Sequence, residues 1–200
     1  MCVAPTQAKV RAAIFGKTAH AGVEPEKGIS AITIASKAIS KMPLAVSMKK
    51  QQLISVRFEG GTQTNIVCDE VHILAEARSL VPEKMEAQVQ KMKAAFEEAA
   101  ADMGGRAEVE IEVMYPGFKY QDGDQVVEIA KKAAAKIGRP SELQTSGGGS
   151  DANVIAGHGI PTVNLAVGYE QIHTKNEKMP IEELVKTAEM VVAIIEEAAK

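Results

Sequence analysis

Tryptophan is absent from this sequence, and aromatic residues make up only 4% of it. A core must therefore be built from Val, Ile, Leu, Met and Ala, which the 46% hydrophobic content supplies. Cysteine is scarce as well: Cys2 and Cys68 lie far apart and form no CxxC unit. That pattern excludes a disulfide framework and a thioredoxin-like motif, and predicts free thiols in a reducing, cytoplasmic compartment. There is no basic excess, since 23 Lys and Arg face 26 Asp and Glu for a formal charge of −3. A phosphate-backbone binder normally carries a basic face, so no nucleic acid partner is expected. No apolar run approaches the roughly 18 residues of a membrane span, and no charged start precedes an apolar stretch. Neither a membrane partner nor a secretion signal is expected.

What is present is a run of short, clearly patterned segments. The length of 200 residues allows one large domain or two small ones. In "AKVRAAIF" (8–15), Val10, Ala12 and Ile14 alternate with Lys9 and Arg11, as in a half-buried strand. A Gly-rich loop, "GKTAHAGVEPEKG" (16–28), follows. Ile29, Ile32, Ala35, Ile39 and Met42 then fall at helical spacing, with Pro43 as the expected stop. "LISVRF" (53–58) and "VHILAEARS" (71–79) read as strands flanking the turn "EGGTQTN" (59–65). In the second strand His72, Leu74, Glu76 and Arg78 share the more polar face. Pro82 opens a long helix with Met85, Val89, Met92, Phe96, Ala99 and Met103 on one stripe, closed by Gly104-Gly105. "AEVEIEVM" (107–114) predicts a strand with Val109, Ile111 and Val113 inside and its glutamates outside.

This order, βαββαβ, predicts a ferredoxin-like unit with two helices on one face of a sheet. After a boundary at "YPGFKYQDGD" (115–124), the pattern becomes a helix over about 124–137, a short strand near Leu143, a glycine loop opening a helix, a strand at "IPTVNLAV" (160–167) and a final helix from Pro180. That alternation is α/β. Two strands alone do not make a stable doubly wound sheet, so this part resembles a portion of a larger one.

The loop "SGGGSDAN" (146–153) fails three familiar tests. Ser150 and Asp151 follow the glycines where a phosphate loop needs Lys and Ser or Thr. The Gly-x-Gly-x-x-Gly spacing of a dinucleotide site and the Gly-x-Ser-x-Gly of a nucleophile elbow are both absent. What remains is a set of backbone N–H groups at a helix start with a capping Ser or Asp. Downstream, "YEQIHTKNE" (169–177) places His173 near Glu170 and Glu177, a combination that can ligate zinc. His158, between two glycines, reads as a turn residue.

Taken together, "GKTAHAGVEPEKGISA" (16–31), "GGTQTNIVCDEV" (60–71), "AEARSL" (75–80), "YPGF" (115–118), "SGGGSDAN", "GIPTVNL" (159–165) and "IHTKNE" (172–177) resemble the dizinc exopeptidases of the aminoacylase, carboxypeptidase and desuccinylase clan. Their order is most similar to that of peptidase T, the tripeptide aminopeptidases. The resemblance implies a ferredoxin-like lid, or dimerisation domain, over 6–116 and the C-terminal portion of an α/β catalytic domain over 117–200. It implies a metallopeptidase acting on short peptides, with two zinc ions in the complete enzyme and a homodimer formed through the lid. It also implies that the family's early His-x-Asp motif, bridging Asp, Glu general base and further acidic ligand lie outside this sequence. The chain alone is then expected to be inactive and to bind zinc weakly at most.

By that resemblance, His173 is the final zinc ligand. His20 is the lid histidine that reaches the neighbouring subunit's site and stabilises an oxyanion. Asn65 and Arg78 hold the substrate's carboxylate end, a task suited to the guanidinium fork. Ser146, Gly148 and Asp151 line the pocket. Simpler readings stand beside these: a loop histidine for His20, a turn former for Asn65, a solvated strand residue for Arg78. Two other functions also stand: a non-catalytic dimerising subunit that complements a partner chain, and an RNA-binding sheet, for which the strand aromatics that stack bases are lacking.

Overall fold

A computed structural model describes residues 2–42 and 52–200, without the side chains of 52–56. In chain order the elements are β1 (Val3–Ala4), β2 (Thr6–Phe15), α1 (Ala31–Ser40), β3 (Gln52–Gly60), β4 (Glu70–Ser79), α2 (Pro82–Asp102), β5 (Arg106–Tyr115), β6 (Phe118–Lys119), α3 (Gln125–Lys136), α4 (Asp151–Gly157) and α5 (Ile181–Ala198). Pro43, the expected stop of α1, lies outside the described residues. The chain forms two compact units, one of Pro5–Gly117 and one of the residues through Ala4 with Phe118–Lys200.

The first unit holds a four-stranded sheet in the order β3-β4-β2-β5, all neighbours antiparallel. With α1 and α2 as crossovers this is the ferredoxin-like arrangement. Strand alternation decides its faces. Ala8, Val10, Ala12 and Ile14 of β2 and Val71, Ile73, Ala75 and Ala77 of β4 are buried and form one core with both helices. The opposite face carries Lys9, Arg11, His72, Glu76 and Arg78. From α2 come Met85, Val89, Met92, Phe96 and Ala99, all buried, at the spacing the sequence predicts. Burying a side chain such as Phe96 or Met92 contributes about 1.5–3 kcal/mol. Ser30 caps α1, its Oγ accepting from the Thr33 N–H at 3.2 Å. Pro82 sits in the first turn of α2. Gly104, at φ 74°, closes that helix in the left-handed region, where a Cβ is disfavoured.

Two positions depart from the expected pattern. Ile32 is exposed, and the core stripe of α1 runs instead through Ala31, Ile34, Ala35 and Ala38. Both stripes have helical spacing, and the one of smaller residues is the one packed into the core. Val113, expected inside, is 58% exposed, whereas Val109 and Ile111 pack on the core. Strand β5 has a neighbour on one side only, and its register with β2 shifts between Gln7 and Ala8, next to Val113.

In the second unit the chain start is sandwiched between two later segments. Val3 and Ala4 pair with Lys119 and Phe118, and Val3 forms a parallel bridge to Thr145. The Cys2 N–H donates to the Gln144 carbonyl at 2.9 Å and the Ser146 N–H to the Val3 carbonyl at 2.9 Å. The strand expected near Leu143 is thus a single bridge at Thr145. The strand expected over 160–167 does not form a ladder among the described residues. A strand needs hydrogen-bonded neighbours, and the two-residue β1 and β6 supply too little edge for more. Helices α3 and α5 pack together. Lys136 reaches Glu196, and that hydrogen bond holds the Lys136 ammonium above its ordinary pKa. Along α5, Ile181, Leu184, Val191, Val192 and Ile195 are exposed. No helix among the described residues is long and apolar enough to cross a membrane.

Candidate functional site

His20 and Asn65 come from separate loops that the backbone stitches together. The Ala21 N–H donates to the Asn65 carbonyl, and the Val67 N–H to the Ala19 carbonyl, both at 2.9 Å. Between these bonds His20 and Ile66 face each other as an isolated antiparallel bridge. In such a non-hydrogen-bonded pair the two side chains lie on one face and close together. The His20 loop is anchored further by paired bonds between Lys17 and Ile29 and by the Gly16 N–H to the Asp69 carbonyl at 2.8 Å. Gly16 is required by this closeness, since a Cβ there would lie 2.0 Å from the Ile29 carbonyl oxygen. His20 and Asn65 are both exposed, and the His20 Nδ1 accepts from the Gly22 N–H at 3.1 Å. An imidazole and a side-chain amide thus stand at one end of the sheet, facing solvent.

Arg78 is not brought to this pair. The loops leave the sheet at the end where Phe15 pairs with Glu70, whereas Arg78 pairs with Gln7 near the far end of β4. Eight residue steps lead from Glu70 to Arg78, which at about 3.4 Å each is roughly 27 Å. There the Arg78 guanidinium pairs with Glu76 at 2.9 Å, with side-chain exposures of 24% and 13%. Glu76 also accepts from the Gln7 amide at 2.6 Å. The carboxylate clamp expected from Asn65 and Arg78 acting together is therefore not assembled within this unit. Strand alternation gave the face of Arg78 correctly, but a face says nothing about position along the strand.

The glycine loop belongs to the second unit. Ser146 is tied to Val3 through its N–H, and its Oγ accepts from the Gly148 N–H at 3.0 Å. At the start of α4 the Ser150 N–H donates to Asn153 Oδ1 at 3.0 Å, and Asn164 Nδ2 donates to Ser150 Oγ at 2.6 Å. Asn153 is fully buried, whereas Asp151 is exposed on the first turn. Asn153 and Asn164 thus shape the loop, and neither stands out in the sequence reading. The available signal was the Ser150-x-x-Asn153 spacing, which is that of a capping box.

His173 lies in a loop closed by a bridge between Glu170 and Lys178, whose backbones exchange bonds of 2.8 and 3.2 Å and whose side chains pair at 3.1 Å. His173 is exposed, with φ 63°; Gln171 has φ 54°. The Glu177 carboxylate is taken up by the His173 backbone N–H at 2.6 Å, not by its ring. A zinc site needs three or four nitrogen, oxygen or sulfur donors. Among the described residues no three His, Cys, Asp or Glu side chains group to hold a metal. The donor set of the described residues therefore does not fit a zinc ion by itself.

Residues 6–104 match the family model of the peptidase dimerisation domain, M20_dimer. The chain carries an M20 peptidase dimerisation domain. Its relatedness to peptidase T extends across the full chain. The chain is 94% identical over 197 residues to the uncharacterized protein YqjE of Bacillus subtilis (strain 168), covering 98% of this chain and 53% of that protein. It superposes on the crystal structure of aminopeptidase PepT from Bacillus cereus ATCC 10987 with a TM-score of 0.88 and 72% identity, covering 100% of this chain and 54% of that one. A tripeptidase from Staphylococcus aureus subsp. aureus mu50 gives a TM-score of 0.91 at 48% identity, again over 100% of this chain and 54% of that one. The chain thus spans about half the length of these relatives. The dimerisation domain is the part that carries His20, Asn65 and Arg78.

Proposed function

We propose that this chain is the lid and C-terminal portion of a zinc-dependent exopeptidase that removes residues from short peptides, as a peptidase T-like enzyme would. The observation that carries the reading is the stitching of the His20 and Asn65 loops, which holds two exposed family-motif residues at one end of a dimerisation domain. The likeness to an aminopeptidase and a tripeptidase over the whole chain supports it.

In this reading His20 donates a hydrogen bond to the oxyanion that develops when the peptide carbonyl is attacked in the neighbouring subunit. Asn65 binds the peptide's carboxyl end. Ser146, Gly148 and Asp151 line the pocket of the C-terminal portion, which 117–200 contributes. His173 supplies one zinc ligand through its ring, and the remaining ligands come from protein that this chain does not span. The chemistry a zinc pair supplies when bound is activation of a water for attack on the carbonyl. For Arg78 the pairing with Glu76 supports a structural role, and the substrate's carboxylate end stands as the alternative that its motif implies.

A second reading, a non-catalytic subunit that completes a partner chain, is supported by the dimerisation-domain match over residues 6–104. One experiment separates the two. The 200-residue chain and a protein of the relatives' full length are assayed with zinc on a tripeptide, each with and without His20→Ala. The enzymatic reading expects turnover only by the longer protein, reduced at least about a hundredfold by His20→Ala, the scale for one oxyanion donor. Absence of turnover by the longer protein overturns it.

A further inference from the structure

We propose that the backbone N–H of Gly22 is the positioning group for His20, holding its imidazole as the tautomer with the proton on Nε2. A neutral imidazole has one nitrogen that donates and one that accepts. The group facing Nδ1 at 3.1 Å is a backbone N–H, which can only donate. Nδ1 must therefore carry the lone pair, and the proton sits on Nε2. The ring is turned back over its own loop on the Nδ1 side, so Nε2–H is the edge left for another molecule.

Two further features fix the ring. The Val23 and Glu24 N–H groups both donate to the His20 carbonyl at 3.2 Å, so the turn that delivers Gly22 to the ring is itself bonded to His20. Across the bridge Ile66, 42% exposed, stands on the same face as the imidazole and gives it an apolar neighbour. A donor for a developing oxyanion must carry its proton before the reaction begins, so that nothing reorganises as charge appears. The Gly22 contact supplies that condition from within the loop. This consequence rests on the oxyanion reading of His20; the tautomer itself does not.

The sequence pattern behind the device is short: the histidine and a glycine two residues later, in "HAGVEP". Alanine at position 22 keeps the N–H, and its Cβ would meet His20 Cε1 at 3.6 Å and Nδ1 at 3.8 Å, ordinary contacts. Proline removes the N–H altogether.

The test is nitrogen NMR of the histidine rings in the labelled chain, without ligand, at a pH where the ring is neutral. His20→Gln identifies the signals that belong to His20. Wild type and Gly22→Ala should show the Nε2–H form, with the tautomer ratio about fivefold further toward it than in Gly22→Pro, the effect of one ordinary hydrogen bond. Equal ratios in all three overturn the proposal. If Gly22→Pro disrupts the loop, seen as loss of the Ala21 and Val67 amide signals, the wild type decides alone. A substantial Nδ1–H population there overturns it. Activity is read separately: an Nε2–H ring in an enzyme indifferent to His20→Ala keeps the positioning role and removes the oxyanion role.

Discussion

The Glu177 carboxylate accepts a 2.6 Å hydrogen bond from the backbone N–H of His173, a residue held at φ 63°. Left-handed backbone is uncommon for residues other than glycine and costs of the order of 1–3 kcal/mol unless its surroundings enforce it. Here the enforcement is local: the Glu177 acceptor, and the Glu170–Lys178 bridge at the loop's base. The acid near His173 thus shapes the loop through the backbone.

Glu177→Ala should therefore loosen the loop without unfolding the protein. Amide hydrogen exchange at Thr174 and Glu177 should quicken about tenfold, equivalent to about 1.4 kcal/mol. Glu177→Gln keeps a neutral acceptor and should fall between. Exchange unchanged in Glu177→Ala would mean that the left-handed backbone is held by something else.

The dimerisation domain was legible in the sequence because its elements are long and amphipathic. Val71 through Ala77 and Met85 through Ala99 each declare one buried face, and Pro82 and Gly104 mark both ends of α2. Ile32 was misread because the apolar residues of α1 allow two overlapping stripes. The 160–167 segment was misread for a different reason. Its composition suits a strand, but a strand exists only where a neighbour offers hydrogen bonds. At the site, the resemblance singles out His20 and Asn65, yet only the backbone stitching brings their loops together. Register along β4 separates Arg78 from them, and register is a property of pairing rather than of composition.

Arg78→Ala should act on stability more than on substrate. Removing the guanidinium leaves Glu76, only 13% exposed, with the Gln7 amide as its other recorded side-chain partner. The expected loss is about 1–3 kcal/mol in denaturant unfolding. In a full-length enzyme the KM for free-acid and amidated peptides should shift alike. A selective loss for the free acid would return Arg78 to the substrate.

A dimerisation domain predicts that the chain self-associates at micromolar concentration, measurable by light scattering. Two surfaces compete to explain it: the outer strands of the four-stranded sheet, and the exposed apolar side chains of α5. Leu184→Glu with Ile195→Glu should leave the dimer intact if the four-stranded sheet forms it. Conversion to monomer by those two changes would assign association to α5. A monomeric wild type would argue against both.

Asn153 offers the sharpest test of how the glycine loop is built. Its side chain is fully buried and its Oδ1 accepts from the Ser150 N–H. Asn153→Ala leaves that donor without its partner and creates a small void, so unfolding free energy should drop by about 2–3 kcal/mol. Asn153→Asp keeps the shape and the acceptor but buries an acid. Burial disfavours the charged form, so the folded-state pKa of that Asp lies above its unfolded value of about 3.9. The folded protein then binds the extra proton more readily than the unfolded chain does. Stability of Asn153→Asp relative to wild type should therefore be best below about pH 4 and decline as pH rises toward the raised folded value. Urea unfolding of both proteins at several pH values measures this. A difference independent of pH would show that position 153 tolerates a charge, and that its surroundings are wetter than its burial indicates.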